Sequence, residues 1–116
     1  MEIKVEVKQN ITILTPIGRI DTATAKAFEE GISQHLKEKI QLVISFEEIN
    51  YISSAGLRVI LMAGKKQMAG HGKLGLINMP DKIYTVFKMS GFDKIIKIYK
   101  DFDTACKLLQ SETASF

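Results

Sequence analysis

The stretch from Leu42 to Leu61 most constrains the fold, because an apolar run changes there into helical spacing. Residues Leu42 to Phe46 are apolar and β-branched, which is typical of a short buried strand. After a short loop, apolar and small residues recur at helical spacing and predict a helix: Leu57, Ile60, Leu61, Gly64 and Met68. The pair Ser53 and Ser54 therefore lies where a strand gives way to a helix.

Serine is a preferred residue at such a position, because its oxygen accepts hydrogen bonds from backbone N–H groups that lack a helical partner. We therefore expect Ser53 or Ser54 to cap the helix. The same N–H groups, together with the positive end of the helix dipole, favour an anion such as a phosphate. From these residues alone, a structural cap and an anion site are alternative interpretations.

The remaining hydrophobic pattern predicts an opening hairpin followed by alternating helices and strands. Alternation at 3–7 and a second apolar run at 11–14 predict two antiparallel strands. Further elements follow in the order ββαβαβαβα, which is an α/β fold with about four helices. Strands joined by helices pair in parallel, so the hairpin makes this a mixed β-sheet.

Capping residues set the expected helix boundaries. Polar residues precede the first helix, a proline and an aspartate open the third, a glycine closes it, and one of two aspartates caps the last. These residues are Asp21 to Thr24, Pro80 and Asp81, Gly91, and Asp101 or Asp103.

Length and composition favour one globular domain over residues 1–110, followed by a polar tail at 111–116. The chain has 116 residues, of which 46% are hydrophobic and 25% are charged. No apolar run reaches the ~20 residues that span a bilayer, and the N-terminus lacks a signal-peptide layout, so we expect a cytoplasmic protein without membrane contact. The net charge of +3 comes from dispersed lysines, which argues against direct binding to nucleic acid.

Candidate catalytic and metal sites are weak. Ser54, Ala55 and Gly56 match half of a nucleophile elbow, but Ile52 replaces its leading glycine. The chain has two histidines, both expected at the surface, and a single cysteine, Cys106, expected in the core of the last helix. No Cys/His cluster has metal-ligand spacing, so we expect no metal, no cofactor and no enzymatic activity. A small-molecule site at the carboxyl ends of the strands stays open, without a residue fingerprint.

Three segments together resemble one known family over nearly the whole chain. The segment 48–61, Glu-Ile-Asn-Tyr-Ile-Ser-Ser-Ala-Gly-Leu-Arg-Val-Ile-Leu, closely resembles the signature of the STAS domain of bacterial anti-sigma factor antagonists. Upstream, the segment 13–25 resembles the family's Gly-x-hydrophobic-Asp motif and places Asp21 on its aspartate. Downstream, the segment 91–95 resembles the turn that follows the third helix.

The resemblance implies a regulatory switch controlled by phosphorylation. In the family, an anti-sigma factor that is a serine kinase phosphorylates the serine of an Asp-Ser-Ser/Thr-Gly core, and counting back from Gly56 places that phosphoacceptor on Ser54. The unphosphorylated form binds the kinase and releases the sigma factor, and a serine phosphatase restores that form. The resemblance implies partner contacts at Asp21, Thr22, Ser53, Ala55, Gly56 and Arg58.

Two serines depart from the family pattern. Ser53 occupies the position of the core aspartate, and Ser45 the position of an aspartate that often ends the central strand. The first change either alters recognition by the kinase or makes Ser53 a competing acceptor. The alternative function is a STAS module that does not switch, acting as a scaffold or as an accessory subunit of a transporter or signalling complex.

Overall fold

Helices and strands alternate after an opening hairpin. The structure, a computed structural model, describes residues 1–36 and 40–114. The strands are β1 (Glu2–Lys8), β2 (Ile11–Ile20), β3 (Gln41–Ser45), β4 (Ile49–Ile52), β5 (Lys73–Ile77) and β6 (Lys97–Ile98). The helices are α1 (Ala25–Ser33), α2 (Ser54–Ala69), α3 (Asp81–Ser90) and α4 (Phe102–Ala114), and a 3₁₀ turn (Phe92–Lys94) precedes β6. None of the described helices is both long and apolar enough to cross a membrane.

The hairpin between β1 and β2 turns in two residues. Lys8 pairs with Ile11, so Gln9 and Asn10 form the turn, with φ values of 52° and 65°. Positive φ at both central residues is typical of the type I′ turn, whose twist matches that of the flanking strands. This pair is antiparallel and the other described pairs are parallel, which confirms the predicted mixed sheet.

Besides β1, strand β2 has two further partners, β3 and β4. The sheet runs β1-β2-β3-β5-β6, and β4 pairs only with β2. The first half of β2, residues 11–14, pairs with β3, whereas residues 18–20 pair with β4. Gly18 lies at this fork with a φ of 111°, beside a shift in register. Its lack of a side chain permits this backbone conformation.

The observed order, ββαββαβαβα, has one strand more than the predicted order. Residues 49–52, which the sequence assigns to a loop, form β4. The prediction missed β4 because it is short and only its end residues, Ile49 and Ile52, are buried. Pairing with β2 holds it in place, since Gly18 N donates to Glu48 O at 3.0 Å and Ser53 N donates to Ile20 O at 2.8 Å.

Two other boundaries differ from the prediction. The last strand is Lys97–Ile98 rather than 95–99, because Ile95 N and Ile96 N both donate to Phe92 O and extend the 3₁₀ turn. Helix α4 continues to Ala114, so the residues predicted as a tail begin within a helix. Residues 115 and 116 lie outside the described part of the chain.

The predicted caps of α3 and α4 are confirmed. Pro80 precedes α3 and Asp81 is its first residue. Gly91 ends α3 in the left-handed conformation, with a φ of 80°. Of the two candidates at α4, Asp101 is the cap, because its Oδ1 accepts from Thr104 N at 2.9 Å.

Helices cover both faces of the sheet, so β3 is buried on both. Leu42 and Ile44 face a large cluster built with α1, α2 and α3, whereas Val43 faces a smaller cluster built with α4. Cys106 belongs to the smaller cluster, as predicted, with its Sγ 3.0 Å from Gln9 Oε1. Burial on both faces holds the central strand β3 rigidly, and the neighbouring strand β2 continues past it toward the candidate site.

Candidate functional site

The serine pair lies at the carboxyl ends of β2 and β4, where α2 begins. Ser53 adopts the extended backbone of an N-cap (φ −96°, ψ 174°), and Ser54 is the first helical residue. Ser53 N donates to Ile20 O at 2.8 Å, and Ser53 O accepts from Leu57 N at 3.0 Å. The prediction that the pair lies between a strand and a helix is confirmed, although that strand is β4 rather than β3.

Ser53 is the N-cap residue of α2, one of the two predicted positions, but its side chain does not make the expected cap bond. The Ser53 hydroxyl is buried and has no hydrogen-bond partner in the described part of the chain, whereas Ser54 is exposed. Ser53 has the backbone conformation of a cap but makes no side-chain cap bond. The helix start therefore keeps N–H groups for an incoming acceptor.

Gly56 brings the first turn of α2 onto the ends of two strands. A Cβ atom at this position would lie 2.6 Å from Ile20 Cγ2 and 2.9 Å from Ile52 Cγ1. Both separations are shorter than van der Waals contact, so a larger residue displaces the helix or the isoleucines. Gly56 is buried, which differs from the expected direct contact with a partner; it supports the site from beneath.

Asp21 lies beside Ser53, because the residues before them, Ile20 and Ile52, pair across β2 and β4. Its Oδ1 accepts from Ala23 N at 3.0 Å and from Thr24 N at 3.1 Å, and its Oδ2 accepts from Arg19 Nε at 3.2 Å. The bond from Arg19, followed by that from Thr24 N, lowers the pKa of the Asp21 carboxyl. The carboxylate thus fixes the turn into α1 and places Thr22 at the surface.

Arg58 reaches back toward Ser54, as expected for residues one helical turn apart. Its Nε donates to Ser54 O at 3.4 Å, and its side chain is exposed. Helical side chains lean toward the N-terminus, which explains this direction. Arg58 therefore brings a positive charge to the first turn of α2. We call the edge formed by Asp21, Thr22, Ser53, Ser54, Ala55 and Arg58 the serine corner.

Arg19 and Tyr51 border the serine corner and were missed in the sequence. They pair across β2 and β4, and the Arg19 guanidinium carbon lies 4.5 Å from the centre of the Tyr51 ring. This is within the range of a cation–π contact. The sequence predicts this contact only if residues 49–52 are assigned to a strand, because pairing of that strand with β2 places Arg19 and Tyr51 next to each other.

The serine corner lacks the arrangement expected of a hydrolase. His71 follows α2 at its far end, and the 16 residues of the helix span about 24 Å. His35 follows the C-terminal end of α1, whose N-terminal end lies nearest the serine corner. Neither histidine is placed to act as a general base for Ser54. An exposed hydroxyl at a helix N-terminus with a nearby arginine is better suited to carrying an anion.

A family model and a curated relative identify the family of this chain, and solved structures share its fold. The model of the family described as the STAS domain matches residues 2–105. The anti-sigma-B factor antagonist of Listeria monocytogenes is 32% identical over 102 residues, covering 84% of this chain and 90% of that protein. The crystal structure of an anti-sigma factor antagonist from Mycobacterium paratuberculosis has a TM-score of 0.84 and 23% identity, covering 94% of this chain and 93% of that one. The phosphorylated form of the Bacillus cell fate determinant SpoIIAA has a TM-score of 0.65 and 17% identity, covering 92% and 99%.

Proposed function

Because the chain belongs to the STAS domain family, we propose that it is an anti-sigma factor antagonist switched off by phosphorylation at Ser54. The unphosphorylated protein binds an anti-sigma factor that is itself a serine kinase, and the sigma factor is released. A serine phosphatase returns the protein to its binding-competent form. The chain itself performs no chemical step, and the exchange takes place in the cytoplasm.

The exposure of Ser54 at the start of α2 is the observation that carries this proposal. Ser54 is open to solvent, whereas the Ser53 hydroxyl is buried. A kinase needs the acceptor hydroxyl to be accessible, so the difference in burial favours Ser54 over its neighbour. This supports Ser54 as the acceptor even though a serine replaces the family's usual aspartate at position 53.

Charge explains how one phosphate reverses partner binding without disrupting the fold. A phosphoserine adds about −1.5 to −2 charge at pH 7. At a helix N-terminus an anion is favoured by about 0.3–1 kcal/mol, so the free protein tolerates it. In an interface the same group repels acidic neighbours and loses hydration. The serine corner is the surface on which we place the partner, with Gly56 beneath it.

Phosphorylation by the cognate anti-sigma kinase, followed by peptide mapping, tests this function. We expect one phosphate on Ser54, none on Ser54→Ala, and unchanged modification of the matched control Ser53→Ala. In pull-downs with the kinase, Ser54→Ala should stay bound after incubation with ATP, whereas Ser54→Asp should bind weakly.

Other outcomes separate the alternatives. A phosphate on Ser53 would overturn the assignment of the acceptor. If the wild-type protein, Ser54→Ala and Ser54→Asp all bind the partner with the same affinity, the protein is a non-switching STAS scaffold or accessory subunit instead.

A further inference from the structure

Strand β1 is an open edge of the sheet. It pairs with β2 along its whole length and with no other strand in the described part of the chain. Its seven residues pair without a shift in register, and all of them except Ile3 are exposed. Sheets commonly protect such an edge with a bulge, a proline or a very short strand, and the described strand β1 has none of these. Its outer side is therefore open to another strand.

The backbone groups at this outer side belong to Ile3, Val5 and Val7. The two-residue turn of the hairpin is closed by a hydrogen bond between the residues on either side of it, Lys8 and Ile11. Hydrogen-bonded and non-bonded residues alternate along antiparallel strands, so the even-numbered residues of β1 bond to β2. The N–H and C=O groups of the three odd-numbered residues then point outward.

Two residues of β2 agree with this alternation. Gly18 N donates to Glu48 O at 3.0 Å, on the side of β2 that faces away from β1. Pro16, which has no N–H, lies opposite Ile3, where the pairing with β1 requires no donor from β2. The even-numbered residues of β2 thus direct their backbone groups away from β1, as the alternation requires.

The side chains of β1 are complementary to themselves in one antiparallel register. When Val5 lies opposite Val5 of a second copy, Lys4 of each copy lies opposite Glu6 of the other. At the two ends of the strand, Glu2 lies opposite Lys8. Opposite charges directly across a sheet stabilise the pairing. The same register joins the outward N–H and C=O groups of the odd-numbered residues in hydrogen-bonded pairs.

Neighbouring registers lack this complementarity. A shift of two residues in one direction places Lys4 opposite Lys4 and Glu2 opposite Glu6, whereas the opposite shift places Glu6 opposite Glu6 and Lys4 opposite Lys8. Like charges directly opposite each other destabilise a strand pair. A shift of one residue places outward backbone groups opposite residues whose groups already bond to β2. Charge and backbone pattern therefore select the same register.

The central charges have no ion pair that would compete with this contact. In the described part of the chain, Lys4 and Glu6 are exposed and form no salt bridge. Lys8 lies 5.0 Å from the centre of the Phe102 ring, so only the two central charge pairs support the proposal. On the other face of the strand, Val5 is 50% exposed and Val7 is 69% exposed. A second copy of β1 covers part of these apolar side chains.

We propose that β1 pairs with β1 of a second copy of this chain, antiparallel and centred on Val5, so that two sheets join into one. The two-fold axis lets one surface serve both copies, as in other symmetric dimers. One strand pair is smaller than a standard interface of ~1,200–2,000 Å², so the dimer is weak and forms at high concentration. Strand β4 lies on the side of β2 away from β1, so the serine corner stays accessible. The proposal does not depend on the function assigned to that corner.

Sedimentation velocity of the full chain, from about 10 μM to about 1 mM, tests the proposal. We expect a dimer that increases with concentration. Lys4→Glu and Glu6→Lys should each weaken it about tenfold or more, because each change places like charges at both central pairs. The matched control Lys66→Glu, at an exposed lysine of α2, should change the affinity by less than about twofold.

Mixing the two variants separates lost pairing from lost folding. An equimolar mixture of Lys4→Glu and Glu6→Lys should form a heterodimer, because opposite charges then meet at both central pairs. The double variant Lys4→Glu/Glu6→Lys should dimerise with itself for the same reason. Isotope-filtered NOEs between the α-protons of Lys4 in one copy and Glu6 in the other should identify the register.

Three results would overturn the proposal. The first is a chain that sediments as a monomer over the whole concentration range. The second is a dimer that neither single variant weakens, since another surface then joins the copies. The third is association that is lost in the single variants and recovered neither in their mixture nor in the double variant.

Discussion

Gly56 positions the candidate site because, without a side chain, it lets the first turn of α2 pack directly against the ends of β2 and β4. Its Cα faces Ile20 and Ile52 at distances that leave no room for a methyl group. Gly64, eight residues later on the same helix, has ordinary contacts at 3.6 Å and beyond. The two glycines therefore allow a matched comparison of packing against helix propensity.

We predict that Gly56→Ala destabilises the protein by about 1–3 kcal/mol, because it overpacks the contact between α2 and the strand ends. Gly64→Ala should be neutral or stabilise by up to about 1 kcal/mol, because alanine favours the helix and fits the available space. Urea unfolding of both variants measures this difference. Equal stabilities would show that α2 shifts freely over Ile20 and Ile52.

Asp21 gives a prediction for acidic pH. Hydrogen bonds from Arg19 and Thr24 lower its pKa below the ordinary value of 3.8. A lowered folded-state pKa means that the carboxylate stabilises the fold above pH 3.8, and this contribution is lost as the pH falls through the folded-state pKa. Arg19→Gln should raise the pKa of Asp21 toward its ordinary value.

Carbon-detected NMR titration of the side-chain carboxyl groups measures this effect. Asp101 is the internal control, because its lowered pKa comes first from the N–H of Thr104, which Arg19→Gln leaves in place. A titration curve of Asp21 that does not move in the variant would contradict the assigned role of Arg19.

At the scale of elements, the start of α2 combines a dipole, unused N–H groups and an arginine one turn away. Arg58 already contacts the Ser54 backbone at 3.4 Å, so its guanidinium is close to any phosphate on that residue. An exposed ion pair contributes only about 0.2–1 kcal/mol, which limits its effect on stability. Its effect on access to the phosphate is expected to be larger than its effect on folding.

We therefore predict that Arg58→Ala speeds removal of phosphate from Ser54 about two- to fivefold, because the phosphate loses a local clamp. The unphosphorylated complex should be nearly unchanged. Rates with one phosphatase, measured beside Lys66→Ala as an exposed cation farther along α2, provide the comparison. Unchanged or slower dephosphorylation of the Arg58 variant would argue against the clamp.

Sequence patterns predicted the long elements but not the contacts between short ones. The abrupt change from 42–46 to the helical spacing after Ser54 located the serine pair correctly, because both signals are strong and local. Strand β4 has four residues and depends on pairing with β2, so its own hydrophobic pattern is insufficient. The Arg19–Tyr51 contact depends on that pairing, and the burial of the Ser53 hydroxyl depends on tertiary packing.

At the scale of the whole molecule, the proposed phosphate should act locally. The serine corner is joined to a sheet whose central strand is buried on both faces, and closely packed cores resist gradual deformation. We predict that amide shifts between the two forms of the protein cluster within the serine corner and the first turn of α2. Shifts that spread through β3 and β5 would instead indicate a change of the whole sheet.

The fork in β2 has a consequence for how such a chain diverges among lineages. Residues 11–14 hold the central sheet, whereas residues 18–20 hold only β4, in which Asn50 and Tyr51 are exposed. Substitution of Tyr51 alters the border of the serine corner while the buried central sheet keeps its packing. Selection for a new partner can therefore act on one branch of the strand while selection for folding acts on the other.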